Sequence, residues 1–285
     1  MLLVVVVPTA LFASEQLFLI RHTPTVWKKP DDLTRATETA LYKPLFGQGD
    51  KQADLLNGVI RFGELTVEAQ GRSSVVSYPS EEQIYYILEG EGKLIYGDEQ
   101  FPVRQNDFMY LPLGVKHGVI NNSNLPIRLL VMGYSVPSDV EVQQTEELQI
   151  ANTEDVDLQV LGYHGPTTRF QLLMGTTESD RDELACAYQM VSLFIMDFLP
   201  TGTNIPHRHE TQEEIYYVLR GYGNMVAGVD KWGNGMRHPS QAGDAFYFAA
   251  GTQVGFFSGG KEGEEHAMIL AVRSNDPTLT SPRKN

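Results

Sequence analysis

One passage of this chain is written twice. Residues 82–92, EQIYYILEGEG, return at 213–223 as EEIYYVLRGYG, about half of the 285-residue chain later. A repeat of this kind constrains the architecture before any motif is read, because each copy must form the same structural unit. Two similar domains follow, and the length suits two of ordinary size. Ahead of the second copy stand His207, Arg208 and His209, where the first copy has Val76, Ser77 and Tyr78. A shared scaffold with different polar residues predicts one working site and one structural partner.

Around both copies the chain breaks into short β-branched and aromatic runs separated by Gly, Pro, Asn and Asp. The first series is GVIRFGELTVEA (58–69), QIYYILEG (83–90), GKLIYG (92–97), DFMYLPLG (107–114) and IRLLVMGYSV (127–136). The second includes RFQLLMG (169–175), AYQMVSLFIMDFLP (187–200), EIYYVLRG (214–221), GNMVAGV (223–229), DAFYFAAG (244–251) and AMILAVRS (267–274). Strands this short, with turn residues between them, predict an all-β chain of sandwiches or small barrels. The expected divisions are a leading segment 1–40, a barrel 41–136, an acidic linker 137–157, a second barrel 158–275 and a loose tail 276–285. DKWGNGMRHPSQ (230–241) reads as a lengthened hairpin loop, and Gly202-Thr203-Asn204 as a turn.

A formal net charge of −14 argues against nucleic acid or an anionic membrane surface as partner. The expected partner is a small-molecule substrate, and a homo-oligomer is left open. Cys186 is the single cysteine, so neither an internal disulfide nor a thiolate cluster can form. It lies in an apolar run and reads as a small buried residue. Residues 2–13 are apolar apart from Thr9, too short to anchor the chain across a bilayer but suited to the core of an export signal. No Lys or Arg precedes them, and a VVVV strand is the alternative. Export and a cytoplasmic location both stay open.

The chemistry concentrates at His207-x-His209, followed by four residues, Glu214, six residues and Gly221. On a strand, residues two apart share a face, so both imidazoles point the same way. Two imidazoles and a carboxylate suit a borderline divalent cation: Mn²⁺, Fe²⁺, Ni²⁺, Co²⁺ or Zn²⁺. Glu213 is the rival carboxylate, but Glu214 keeps the six-residue spacing to Gly221. Tyr216 shares the parity of Glu214, and Tyr216, Phe248 and His266 are the candidate pocket residues. Core packing is the plainer role for both aromatic rings.

This spacing resembles the first motif of the cupin superfamily, and the duplication makes the chain similar to a bicupin over about residues 40–136 and 155–275. The resemblance implies two tandem cupin barrels of the double-stranded β-helix, or jelly-roll, type. The second cupin motif supplies a further His. The first copy keeps it, as Pro112-x-Gly114 followed by His117 and Asn121, but has Val76, Tyr78 and Gln83 at the three motif-one positions. His117 therefore reads as a hydrogen-bonded core or pocket residue of a degenerate site. The second copy has Val254 in the corresponding place, and the adjacent Gln253 is either a replacement ligand or an ordinary polar residue.

Gln253-Val254-Gly255-Phe256 is similar to a segment of the (S)-ureidoglycine aminohydrolases, bicupins with a manganese site in the second barrel. Their Glu, His, His, Gln order is permuted here, with His207 in place of Glu and Glu214 in place of His. This resemblance implies hydrolysis of a C–N bond, manganese as the first expectation, and Glu213 or a water relaying protons. A cupin-type dioxygenase and a non-catalytic ligand-binding or structural bicupin are the alternatives.

Overall fold

The structure is a computed structural model that describes residues 17–143, 147–162 and 164–279. The apolar N-terminal run and the end of the tail lie outside the described residues. Each half of the chain forms two apposed sheets of the jelly-roll kind, antiparallel throughout except that Leu184–Ala187 pairs parallel with Thr168–Thr176. In the first barrel the larger sheet runs Gln149–Asn152, Asp107–Leu111, Glu81–Glu89, Ile127–Ser135, Val59–Val67, Ala40–Gly47. Its partner sheet runs Glu99–Arg104, Glu91–Tyr96, His117–Ile120. In the second barrel the larger sheet runs Phe18–His22, Asp244–Phe248, Gln212–Arg220, Ala267–Asn275, Met190–Phe198, Thr168–Thr176, Leu184–Ala187. The partner sheet there runs Thr203–Arg208, Gln253–Ser258, Tyr222–Val229, Gly235–Gln241. Helical structure among the described residues is confined to 3-10 turns, so none of it is long and apolar enough to cross a membrane.

The two barrels exchange edge strands. Phe18–His22, from the leading segment, pairs with Asp244–Phe248 of the second barrel, while Gln149–Asn152, from the linker, pairs with Asp107–Leu111 of the first. Both segments therefore do more than connect: each covers an edge of the other half's sheet. They are only five and four residues long, too short for alternation to announce them.

Strand alternation divides the core in three. Odd-numbered residues of Gln212–Arg220 (Ile215, Tyr217) pack into a cluster shared by both barrels, which also takes Ile84, Tyr86, Leu130 and Met132 from the first. Even-numbered Tyr216 and Val218 face the interior of the second barrel. Tyr85, Ile87, Leu129 and Val131 fill the first. Because the large sheets are buried on both faces, their strands read as nearly continuous apolar runs.

The same parity turns the first glutamate of each repeat onto the inter-barrel face. Glu82, fully buried, accepts backbone N–H bonds from Tyr188, Gln189 and Met190 at 2.8, 2.9 and 2.6 Å, and the Tyr110 hydroxyl at 3.1 Å. Glu213, equally buried, accepts N–H bonds from Asn57, Gly58 and Val59 at 2.8, 2.7 and 3.2 Å, and the Tyr247 hydroxyl at 2.5 Å. Each barrel thus holds the other's backbone through a carboxylate. Burial pushes both carboxyl groups up and the N–H donors pull them back. The clasp also explains why the run 187–200 is not one strand. The chain breaks between Leu184–Ala187 and Met190–Phe198 where its N–H groups turn to Glu82.

Four further expectations change. Cys186 keeps some exposure, but burial of its thiol, and then the nearby Glu82, push it up to about 12, so it stays protonated. Most of the segment 230–241 is strand, Gly235–Gln241, with the turn confined to 230–234 around Asp230. Thr203 and Asn204 open a strand instead of forming a turn. The start of the tail is also tied down, with Asp276 buried and bonded to the Asn57 amide at 2.9 Å.

Candidate metal centre

His207 closes the strand Thr203–Arg208, which bulges between Asn204 and His207, and His209 follows just beyond its end. Gln212–Arg220 brings Glu214 in from the large sheet. One ligand atom from each of these three side chains lies within 4.8 Å of the others. The imidazole Nε2 atoms are 3.1 Å apart, and His209 Nε2 is 3.5 Å from Glu214 Oε2. His207 Nδ1 sits 2.9 Å from the Ile205 carbonyl, so that nitrogen carries the proton and Nε2 keeps its lone pair inward. Glu214 is 2% exposed, and neither of its carboxylate oxygens has a hydrogen-bond partner.

An orphaned, buried carboxylate facing two imidazole nitrogens is costly without a cation and ordinary with one. Burial raises the Glu214 carboxyl to about 7, with Arg273 opposing. Burial and then Arg273, His207 and His164 lower His209 to about 3, and His207 is lowered too, chiefly by burial. The imidazoles are therefore neutral and ready to ligate, and the proton that competes with a cation sits on Glu214. Affinity for Mn²⁺ should rise about tenfold per pH unit up to about pH 7 and then level off, read by calorimetry with one proton released per ion. The sign follows from a raised carboxyl. In metal-free protein the protonated Glu214 favours the fold most below the ordinary carboxyl range, and that contribution is lost as pH rises through about 7. The Mn²⁺-induced rise in Tm should grow over the same interval. A pH-independent rise would contradict Glu214 as ligand.

The three donors border a cavity of about 50 Å³ lined also by His164, Phe194, Tyr216, Arg181 and Arg273. Asn204, fully buried, bonds the Tyr216 hydroxyl at 3.3 Å and takes the Phe256 N–H at 2.6 Å, fixing the cavity floor. Phe248 lies behind that floor, its ring edge-on to Tyr216 at 5.4 Å, in the core and off the cavity lining. Three other candidates are also elsewhere. Gln253 pairs with Arg208 in register, and since Val254 and Phe256 point into the core, alternation sends Gln253 outward toward Gly235. His266 precedes the opposite end of the strand that carries Arg273, bonded to Asp197 at 2.9 Å. Glu213 faces the first barrel, one residue out of phase with the pocket, and cannot relay protons there.

In the first barrel the equivalent space holds a guanidinium. Arg61, 1% exposed, stacks over Tyr78 at 4.4 Å, approaches Asp31 at 3.3 Å and Glu81 at 3.4 Å, and bonds Gln48 at 3.0 Å. Gln83 turns to Glu81 at 2.8 Å. His117, buried, bonds the Val115 carbonyl at 2.9 Å and packs against Tyr78 and Tyr85, and burial lowers it to about 4. It bridges Val76 just as Val254 pairs with His207. The registers show a reciprocal exchange: Arg61 lies opposite Gly133, whereas Ser192 lies opposite Arg273. A Cβ at Gly133 would come within 2.7 Å of the Arg61 side chain, so the residue opposite Arg61 is the smallest one, and the first barrel takes its arginine from Val59–Val67 where the second takes it from Ala267–Asn275.

Arg273, Arg181, His164 and Asn204 escaped the sequence reading. None belongs to a spaced motif, and only strand register reveals Arg273 directly opposite Glu214.

A Cupin domain family model matches residues 63–133 and 194–272, together more than half of the chain and one match in each barrel. The chain belongs to the cupin family. It is 32% identical over 71 residues to an uncharacterized protein of Methanocaldococcus jannaschii, a match that spans 25% of this chain and 57% of that protein. Among solved structures, this cupin resembles a protein described as glyoxylate-induced from Pseudomonas aeruginosa (TM-score 0.72, 14% identity, 94% of this chain and 92% of that one). Protein Ylba from E. coli superposes with a TM-score of 0.67 at 14% identity, covering 92% of this chain and 95% of the other. Oxalate decarboxylase of Lactobacillus farciminis, solved with formate, gives 0.66 at 10% identity, over 90% and 86%. At such identities the likeness establishes the two-barrel fold and leaves chemistry to the site.

Proposed function

We propose that this cupin is a metal-dependent enzyme acting on a small carboxylate, with hydrolysis of a C–N bond as its reaction. One observation carries the substrate class: Arg273 lines the cavity beside the metal donors yet forms no ion pair with a carboxylate among the described residues. Its guanidinium rests 5.5 Å from the Phe194 ring centre and 3.5 Å from His209 Nδ1, and its Nε is buried with no hydrogen-bond partner. A guanidinium with no carboxylate in ion-pair contact among the described residues, lining a cavity in a chain of net charge −14, fits an anion. Arg181 reinforces it from the rim, held by Ser192 at 3.0 Å and Asp182 at 3.3 Å.

The small cavity limits the substrate to few atoms beside the ion. A divalent cation on His207, His209 and Glu214 would supply Lewis acidity toward a substrate carbonyl or a water. The side chains do the rest: Arg273 orients the carboxylate, Asn204 fixes Tyr216 beneath it, and Leu172, Phe194 and Met196 exclude bulk water. Resemblance to the aminohydrolases supports the C–N assignment, and manganese is the first metal to test.

Mn²⁺-loaded protein titrated with oxalate, acetate and acetamide should bind the carboxylates and ignore the amide. Arg273→Gln should weaken carboxylate binding about 10–100-fold, the value of a charged hydrogen bond, with Mn²⁺ affinity nearly unchanged. Equal binding of amide and acid, or an unaffected variant, would refute the carboxylate. Turnover that requires O₂ would replace hydrolysis by a dioxygenase reaction. Binding without turnover across a set of carbamoyl and amidino acids would leave a ligand-binding cupin.

A further inference from the structure

We propose that His164 is the fourth protein ligand of the metal centre, supplied by the loop leading into the second barrel. The inference rests on the metal reading of the site and deepens it. The strand position that faces His207 across the small sheet is Val254, so that side of the cluster is apolar. A three-donor set therefore has room for one more ligand from somewhere else.

His164 is the third imidazole at the same cavity, beside His207 and His209. Its ring stands edge-on to His207 with centres 5.3 Å apart, close to the 4.8 Å that separates the rings of His207 and His209. A metal–nitrogen bond of about 2.1 Å puts a ring centre about 3.2 Å from the ion. Two imidazoles sharing an ion at octahedral to tetrahedral angles then have centres roughly 4.5–5.3 Å apart. Both ring pairs fall in that interval. The His164 Nδ1 atom is buried and without a hydrogen-bond partner, although the residue as a whole is only partly buried. A buried imidazole nitrogen left unsatisfied beside three metal donors lacks a partner that a cation would supply.

The nitrogen stands outside the tight trio of His207, His209 and Glu214, so ligation requires the ring to turn or the loop to settle inward. The loop is built to allow it. Gly162 and Gly165 flank His164, a Cβ at either would meet nothing within 4 Å, and Gly165 has φ +74°. Phe170, 5.0 Å from the His164 ring centre, supports the ring from below.

Co²⁺ alone is the probe, titrated into metal-free full-length wild type, His164→Ala, His164→Phe and His209→Ala. His164→Phe keeps a ring against Phe170 but has no donor. Both His164 variants should bind Co²⁺ more than about 100-fold more weakly, with an altered visible d–d spectrum that added imidazole restores in His164→Ala. Their metal-free Tm should match wild type, which a purely structural role would not allow. Wild-type affinity and spectrum in both variants, with Co²⁺ lost in His209→Ala, would overturn the role of His164 and spare the metal centre. A wild type that binds no Co²⁺ would overturn both.

Discussion

Replacing His209 by Ala should abolish stoichiometric binding of a divalent cation while leaving the barrels folded. The site has three donors drawn together within 4.8 Å, two of them the imidazoles whose Nε2 atoms are 3.1 Å apart. Losing an outer partner of a ligand already costs about 10–100-fold in affinity, and losing a ligand itself must cost more. The fold should survive, because His207 and His209 lie at and beyond the end of an edge strand and neither belongs to a core cluster. Elemental analysis with a chelator competition reads the metal, and the Tm of metal-free protein reads the fold. His117→Ala provides the contrast: it should leave metal content unchanged and lower the Tm, since that ring is 1% exposed and packed between Tyr78 and Tyr85. A His209→Ala protein that keeps one tightly held ion, or one that unfolds, would remove the basis for a metal site here.

What could be seen in the sequence follows from which features have a period. The repeat and its alternation exposed two all-β units, and HxH with a spaced Glu located three donors that the structure brings together. The exchanged edge strands carried no such signal. FLIRH and QIAN are too short for period two to rise above chance, and their partners lie in the other half of the chain. The pocket arginine was equally hidden. Arg273 is legible only through register, opposite Glu214, and its counterpart in the first barrel comes from a different strand as Arg61. Gln253 shows the limit of reading by adjacency. One residue along a strand is the opposite face, so the neighbour of a lost ligand cannot replace it without a bulge, and the register from Gln253 to Val254 against Arg208 and His207 is continuous.

The same one-residue rule gives the sharpest test of the architecture, because it assigns adjacent glutamates to different tasks. Glu213→Ala should destabilise the protein by about 4 kcal/mol or more, whereas Glu214→Gln should spare the fold and lose the metal. In Glu213→Ala three backbone N–H groups of residues 57–59 and the Tyr247 hydroxyl lose their acceptor inside the inter-barrel face. Each buried donor left unsatisfied costs about 1–3 kcal/mol before relaxation. That sum is a large part of the stability of a typical domain. Glu213→Gln should rescue little, since an amide nitrogen turned toward backbone N–H groups repels where an oxygen accepts. Glu82→Ala should behave alike, for it strips the acceptor from Tyr188, Gln189, Met190 and Tyr110. Glu214 holds no such donors, so an isosteric amide there removes charge from the cation site and nothing from the clasp. Urea unfolding of the metal-free proteins separates the cases. A Glu213→Ala unfolding free energy within about 1 kcal/mol of wild type would mean that the barrels are held by apolar contact alone. The carboxylates would then be bystanders at an interface sealed by Ile84, Met132, Ile215 and Leu270.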